Sequence, residues 1–153
     1  MSRDARPPSL TAVNPEHLGF PRGYSNGILA PADGRMLFVA GQVGWDGDQR
    51  IVGEGFTSQF EQALRNVVTV VREAGGGPQQ VASLTLYVVD HREYLAELKA
   101  VGEAYRGVMG KHFPAMALVE VASNPASPKR SPAVSRICLR APLLVEAISQ
   151  STD

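Results

Sequence analysis

Two segments of this chain repeat apolar residues at helical spacing, and the stretches between them are short and rich in β-branched residues. In the first, Phe60, Ala63, Leu64, Val67, Val70, Val71 and Ala74 fall on one stripe. Ser58-Gln59-Phe60-Glu61 has the form of a capping box, with Ser58 as N-cap and Glu61 three residues on. Gly75-Gly76-Gly77 and Pro78 end this helix, because glycine accepts a left-handed cap and proline cannot continue. The second helix opens on Asp90-His91-Arg92-Glu93, another capping box. It sets Tyr94, Leu95, Leu98, Val101, Tyr105 and Val108 on one side as far as Gly110.

The intervening segments read as strands. Residues 81–89 alternate, with Leu84, Leu86 and Val88 pointing one way and Ser83, Thr85, Tyr87 and Val89 the other. Residues 115–122 divide into Ala117, Val119 and Val121 on one face and Met116, Leu118 and Glu120 on the other. Earlier, Pro31-Ala32-Asp33-Gly34 has turn chemistry. It predicts a β-hairpin that joins residues 23–30 to a second strand at 35–43, the latter apolar enough to be buried on both faces. Residues 45–55 hold three glycines and alternating acids and read as a loop. The resulting order, β-β-α-β-α-β, implies crossover units on one side of a mixed sheet, an α+β fold with two helices packed on one face.

Two helices leave the other face of such a sheet uncovered, and that face is expected to be polar if it meets water. Either parity of the strands leaves apolar residues there, among them Tyr87, Val89, Met116 and Leu118. A homo-oligomer that buries this face is the simplest physical remedy.

At 153 residues and 44% hydrophobic content the chain can bury one core. Residues 1–16 read as a flexible leader, and 17–150 as a single domain. Lysine plus arginine balance aspartate plus glutamate at 15 each, which argues against a nucleic-acid partner. One cysteine excludes an internal disulfide and a cysteine-based zinc site. No apolar run approaches the ~20 residues that span a bilayer, and the polar N-terminus does not resemble a signal peptide, so no membrane partner is expected and a cytoplasmic protein is. All 15 glycines lie at or before Gly110, whereas Pro125, Pro128, Pro132 and Pro142 fall beyond it. Residues 123–142 form an atypical proline-rich and basic stretch. Residues 143–148 are expected to add a last strand, and 134–139 are a second candidate for pairing.

Chemistry is sparsely marked. His17, His91 and His112 show no spacing to one another or to a carboxylate that suggests a metal site, so no metal is expected. Cys138 lacks an activating helix terminus, and Ser25 lacks a nucleophile-elbow context. Gly75-Gly76-Gly77 follows a helix and is a stop, not a phosphate loop. Lys129-Arg130 reads as a solvated loop. In Val119-Glu120-Val121 a carboxylate stands within a strand. It is either exposed and hydrogen-bonded, or held in a cleft as an acid or base.

Five segments stand out together: Gly23-Tyr24-Ser25-Asn26-Gly27, Leu37-Phe38-Val39-Ala40-Gly41-Gln42-Val43, the Gln62 to Asn66 core of the first helix, Leu86-Tyr87-Val88-Val89-Asp90, and Phe113-Pro114-Ala115-Met116-Ala117-Leu118-Val119-Glu120-Val121. In their order and spacing they resemble the Rid family, also called YjgF/YER057c/UK114. The resemblance implies a chorismate-mutase-like fold, a homotrimer with clefts between subunits, and cofactor-free hydrolysis of imine or enamine metabolites to 2-oxo acids and ammonia. It places Tyr24, Ala40, Gly41, Met116 and Leu118 in the ligand site, with Glu120 and Glu146 as the catalytic carboxylates.

It also marks departures. Met116 stands where the family has a carboxylate-binding arginine, Leu118 replaces a cysteine, Ala40 a serine, Gly102 an asparagine and Leu144 a first glutamate. Methionine cannot pair with a carboxylate, and losing such a pair costs on the order of a thousandfold in affinity. The resemblance therefore points away from the usual arginine-dependent mechanism and toward the aminomuconate-deaminase-like type. The alternatives are a non-catalytic trimer that binds a small ligand and, last, a ribonuclease or translation inhibitor. The resemblance fades near Ser123, which implies either an insertion or a segment read out of its ancestral frame. Translating the coding DNA in its other frames decides between these.

Overall fold

The computed structural model describes residues 10–32, 34–122 and 137–145. Its strands are β1 (Thr11–Val13), β2 (Gly27–Leu29), β3 (Arg35–Gln42), β4 (Ser83–Val88), β5 (Ala115–Glu120) and β6 (Ile137–Val145), and its α-helices are α1 (Phe56–Glu73), α2 (His91–Ala96) and α3 (Leu98–Met109). Four strands form one sheet in the order β3-β6-β4-β5. β4 and β5 run parallel, joined across the sheet by α2 and α3, and β6 is antiparallel to both of its neighbours. The fold is thus α+β, a mixed sheet with helices packed against it. Among the described residues no helix is long and apolar enough to cross a membrane.

The core forms where the α1 stripe meets the inward side of β4. Phe60, Ala63, Leu64, Val67 and Val71 pack with Leu84, Leu86, Val88 and Leu139, and α3 adds Val101, Tyr105 and Met109. Each large side chain removed from water here contributes ~1.5–3 kcal/mol. The strict alternation of β4 is what allows this, since every second residue is buried.

α1 begins two residues before the predicted cap. Gly55 is the N-cap, and Ser58 lies in the first turn, where its hydroxyl donates to Gly55 O at 2.9 Å. The apolar stripe explains the earlier start, because Phe56 is 2% exposed and stacks on Phe60 at 6.5 Å. Gln62 and Asn66 fasten this helix to the loop after β3. Asn66 Nδ2 donates to the carbonyls of Val43 and Trp45 at 3.0 Å each, and Gln62 Nε2 donates to Asn66 Oδ1 at 2.9 Å. Gly44 permits the close approach, since a Cβ there would lie 2.7 Å from the Gln59 backbone.

The second predicted helix is broken at Glu97 (φ −112°, ψ 18°) into α2 and α3. Its carboxylate is drawn toward α1, where it accepts from the backbone N–H of Thr57 at 3.1 Å and from the Thr57 hydroxyl. An anion beside the N-terminus of α1 is favourable there. Leu95 and Leu98, expected on the buried side, are exposed, while Tyr94 meets Phe56 edge-on at 6.1 Å.

The predicted hairpin does not form. β2 pairs with β1 in a separate two-stranded sheet, so part of the expected leader is a strand, and β3 pairs instead with β6. A short loop favours local pairing, but β6 brings the fully buried Leu139 beneath α1, a gain unavailable to Gly27–Leu29. Nor is β3 buried on both faces. Val39 is buried and Leu37 packs against the core, but Met36 and Phe38 point away at 62% and 74% exposure. The uncovered face also carries Tyr87 and Val119, which are paired in register. Met116 and Leu118 pair with the buried Leu84 and Leu86 and so lie on the helix side. The two candidate stretches for a last strand merge into β6 where they are described, and residues 123–136 and 146–153 lie outside the described residues.

Candidate functional site

The segment around Tyr24 is sewn to the start of β5. Ser25 N–H donates to Pro114 O at 2.9 Å, its hydroxyl donates to Phe113 O at 2.6 Å, and Ser25 bridges Ala115 in parallel fashion. Ser25 is 5% exposed, so these bonds are shielded from competing water. Tyr24, its neighbour, is thereby held beside the outer edge of β5 and stays 42% exposed. A cleft of about 220 Å³ opens there, with Tyr24, Met116, Leu118 and Tyr94 among its walls. It adjoins a second of about 150 Å³ that reaches inward past Phe60 and Gly102. A wider groove of about 550 Å³ lies alongside, between residues 14–25 and Phe113.

Three of the expected ligand-binding residues, Tyr24, Met116 and Leu118, therefore meet. Ala40 and Gly41 do not join them within one chain. They lie on β3 at the opposite edge of the sheet, where the pairing with β6 slips between Val39 and Gln42. With β6 and β4 between, the separation from β5 is roughly 14 Å at the usual strand spacing. Such an irregularity re-aims backbone at a sheet edge.

Glu120 ends β5, two residues beyond Leu118, and is not among the walls of either cleft. Its carboxylate accepts from His91 N–H at 2.9 Å and meets the His91 ring at Nδ1. These contacts, the backbone N–H first and the ring second, hold the carboxyl below its ordinary value. As a cap on α2, Glu120 is a weaker base than a free glutamate. Its contribution to stability is present above the ordinary glutamate pKa of ~4.5 and is lost as pH falls through the lower folded value. Carbon-detected NMR titration is expected to give Glu120 a midpoint under the ordinary one. His91→Ala should raise that midpoint only in part, since the backbone donor remains. A midpoint at or above the ordinary value would show that the cap is not formed. Glu146 lies outside the described residues.

The fold brings Asp90, His91 and Glu120 within 4.8 Å of one another, and the distance of Glu120 along the chain from the other two concealed the grouping. Asp90 is already committed as the N-cap of α2. Its carboxylate accepts from Arg92 N–H and from the Arg92 guanidinium, each at 2.9 Å, and the Arg92 side chain first of all holds its pKa at about 2. The grouping is a helix cap on present geometry. His112 is likewise structural. Its Nε2 donates to Val81 O at 2.7 Å, and its carbonyl accepts from the Tyr105 hydroxyl, whose pKa burial pushes up. Cys138 lies in β6 opposite Tyr87.

Sequence reasoning missed Arg22, Tyr94 and Arg106 as cleft residues. The only available signal was the spacing of Gly102 and Arg106, four apart on one helix face, and the nearness of Arg22 to Tyr24.

The sequence model of the Endoribonuclease L-PSP family matches residues 18–129. The RutC family protein UK114 of Drosophila melanogaster is 33% identical over 103 residues, which cover 67% of this chain and 70% of that one. The 2-iminobutanoate/2-iminopropanoate deaminase of Homo sapiens is 25% identical over 126 residues, covering 82% and 85%. Among solved structures, a Rid-family protein of unknown function from Yersinia pestis superposes with a TM-score of 0.75 at 27% identity. That match covers 90% of this chain and 99% of the other. The matched span takes in the Tyr24 segment, the Gln62–Asn66 clamp and all of β5, so the chain belongs to the Rid (YjgF/YER057c/UK114) family.

Proposed function

We propose that this protein hydrolyses a small imine or enamine metabolite in a cleft shared by subunits of a homotrimer. The observation that carries the reading is the cleft joining Tyr24 to Met116 and Leu118, small and set at a sheet edge, with aliphatic and aromatic walls beside Arg22. Its relatives include 2-iminobutanoate/2-iminopropanoate deaminases. Hydrolysis adds water across the C=N bond, and the carbinolamine then collapses to a carbonyl and ammonia. The step is not redox and calls for no cofactor. It calls for an anchor, a group that orients water and a group that takes the water proton. Tyr24 supplies a hydroxyl for orientation, and Glu120 and Glu146 are the carboxylate candidates. The location of Ala40 and Gly41 on the far sheet edge supports a shared cleft, because a neighbouring copy would bring its β3 to this β5. The exposed Met36 and Phe38 supply the apolar surface for such a contact.

Ammonia release tests the reading. The full-length protein is expected to release ammonia from 2-aminomuconate or from 2-iminobutanoate. Tyr24→Phe and Glu120→Ala should each reduce it at least tenfold, about the lower end for a lost catalytic group. No release from either substrate, with saturable binding of a small acid, would instead establish a non-catalytic binding trimer. That second reading is favoured by one observation: no carboxylate among the described residues lines either inner cleft. RNA cleavage fits least. The net charge is zero, and His91 and His112 sit at opposite ends of β4. Nuclease activity that survives both substitutions is contamination.

A further inference from the structure

The two inner clefts carry an uneven charge pattern. Their walls are aromatic and aliphatic except for Arg22, which borders both, and Arg106, which borders the deeper one. Neither guanidinium has a hydrogen-bond or ion-pair partner among the described residues. We propose that Arg22 and Arg106 form the carboxylate-binding end of this site, and that its ligand is a small organic acid with an apolar or unsaturated body. The inference rests on the small-metabolite reading of the cleft and names the substrate class for it.

Arg106 sits in the last turn of α3, where an arginine often complements the helix dipole. Its side chain does not reach toward the terminal carbonyls. It turns back along the helix, and Nη1 lies 3.3 Å from where a Cβ of Gly102 would stand. The absence of a side chain at residue 102 lets the guanidinium lie close over the helix and border the cleft, a position that a Cβ would crowd and a larger side chain would take. Arg22 comes from a different element, two residues before Tyr24, on the loop that Ser25 ties to β5. Met116, Phe60 and Tyr94 line the same cleft and give it apolar walls. Such surroundings exclude part of the competing water and strengthen attraction to an anion. A planar guanidinium binds a carboxylate as a fork, which a methionine cannot. The cation that Met116 does not supply is thus available from two other elements of the same chain.

The test measures binding, not turnover, in the full-length protein. Isothermal titration uses benzoate and its neutral isostere benzamide at fixed ionic strength. Saturable benzoate binding is expected, with benzamide at least tenfold weaker. Arg22→Gln and Arg106→Gln should each weaken benzoate at least tenfold and leave benzamide unchanged, a separation that loss of fold would not produce. Gly102→Leu should also weaken benzoate at least tenfold by displacing the guanidinium, while its melting temperature holds or rises, since glycine disfavours a helix interior. Absence of saturable benzoate binding, equal affinity for benzamide, or native-like benzoate affinity in both arginine variants overturns the proposal. Arginine-dependent benzoate binding in a protein that releases no ammonia upholds it and removes the deaminase reading alone. Ammonia release whose kcat/KM is unchanged in both arginine variants overturns it and leaves the deaminase reading standing.

Discussion

Phe38→Glu is expected to yield a folded monomer with at least a hundredfold less activity. Phe38 is 74% exposed on β3, and its neighbour on the same face, Met36, is 62% exposed. Neither side chain belongs to the core cluster, so the substitution removes nothing that holds α1 to the sheet. A surface change of that kind alters monomer stability by only about ±0.5 kcal/mol. In an assembled protein the consequence is opposite. Each buried phenylalanine contributes ~1.5–3 kcal/mol of burial. A carboxylate in its place must be desolvated without a partner, which costs several kcal/mol more in each copy. On the shared-cleft reading proposed above, loss of assembly separates Tyr24 and Met116 from the Ala40 and Gly41 that a second copy would bring, so ammonia release should fall with it. Sedimentation velocity at micromolar concentration reads the first effect and the ammonia assay the second. A native protein that sediments as a monomer, or a Phe38→Glu variant that still sediments as a trimer, removes the shared-cleft reading.

Phe60→Ala is expected to destabilise the fold by ~3–5 kcal/mol. Phe60 is 1% exposed, stacks on Phe56 and also forms part of the inner cleft wall. The loss combines removed burial with a cavity that α1 cannot close, because Asn66 pins the helix to the Val43 and Trp45 carbonyls. Against a total stability of ~5–15 kcal/mol for a domain, this is a large fraction. Urea denaturation monitored by circular dichroism should show the midpoint falling with an unchanged slope. A cost below ~1 kcal/mol would mean that α1 does not seat on β4 through this residue. The contrast with Phe38 is instructive, since two phenylalanines of equal hydrophobicity are expected to act on different equilibria.

Local pattern made α1 and β4 legible, because burial there follows the helical and strand periods directly. It misplaced the α1 start, since Ser58 mimics an N-cap while the burial of Phe56 extends the helix past it. It missed the break at Glu97 because the cause, Thr57, is 40 residues away on another helix. Of the candidate site, Tyr24, Met116 and Leu118 were legible through family resemblance. Arg22 and Arg106 were not, as the spacing of Gly102 to Arg106 and the nearness of Arg22 to Tyr24 do not by themselves distinguish an arginine bordering a cleft from one in solvent.

What the sequence by itself determined is the set of elements and their inward faces: the α1 stripe, the alternation of β4, the helix stop at Gly75 and the cap at Asp90. These depend on contacts within a few residues and on hydrophobic period. Only the tertiary structure decided that β3 pairs with β6 and not with β2, and that Tyr24 stands beside Met116. The same holds for Ala40 and Gly41, which lie on the far edge of the sheet. Those outcomes rest on hydrogen bonds such as Ser25 to Phe113, 88 residues apart, and on which strand best fills the space under α1. Such pairings repay their loop-closure entropy only once the whole core is assembled, so no local stretch of sequence encodes them.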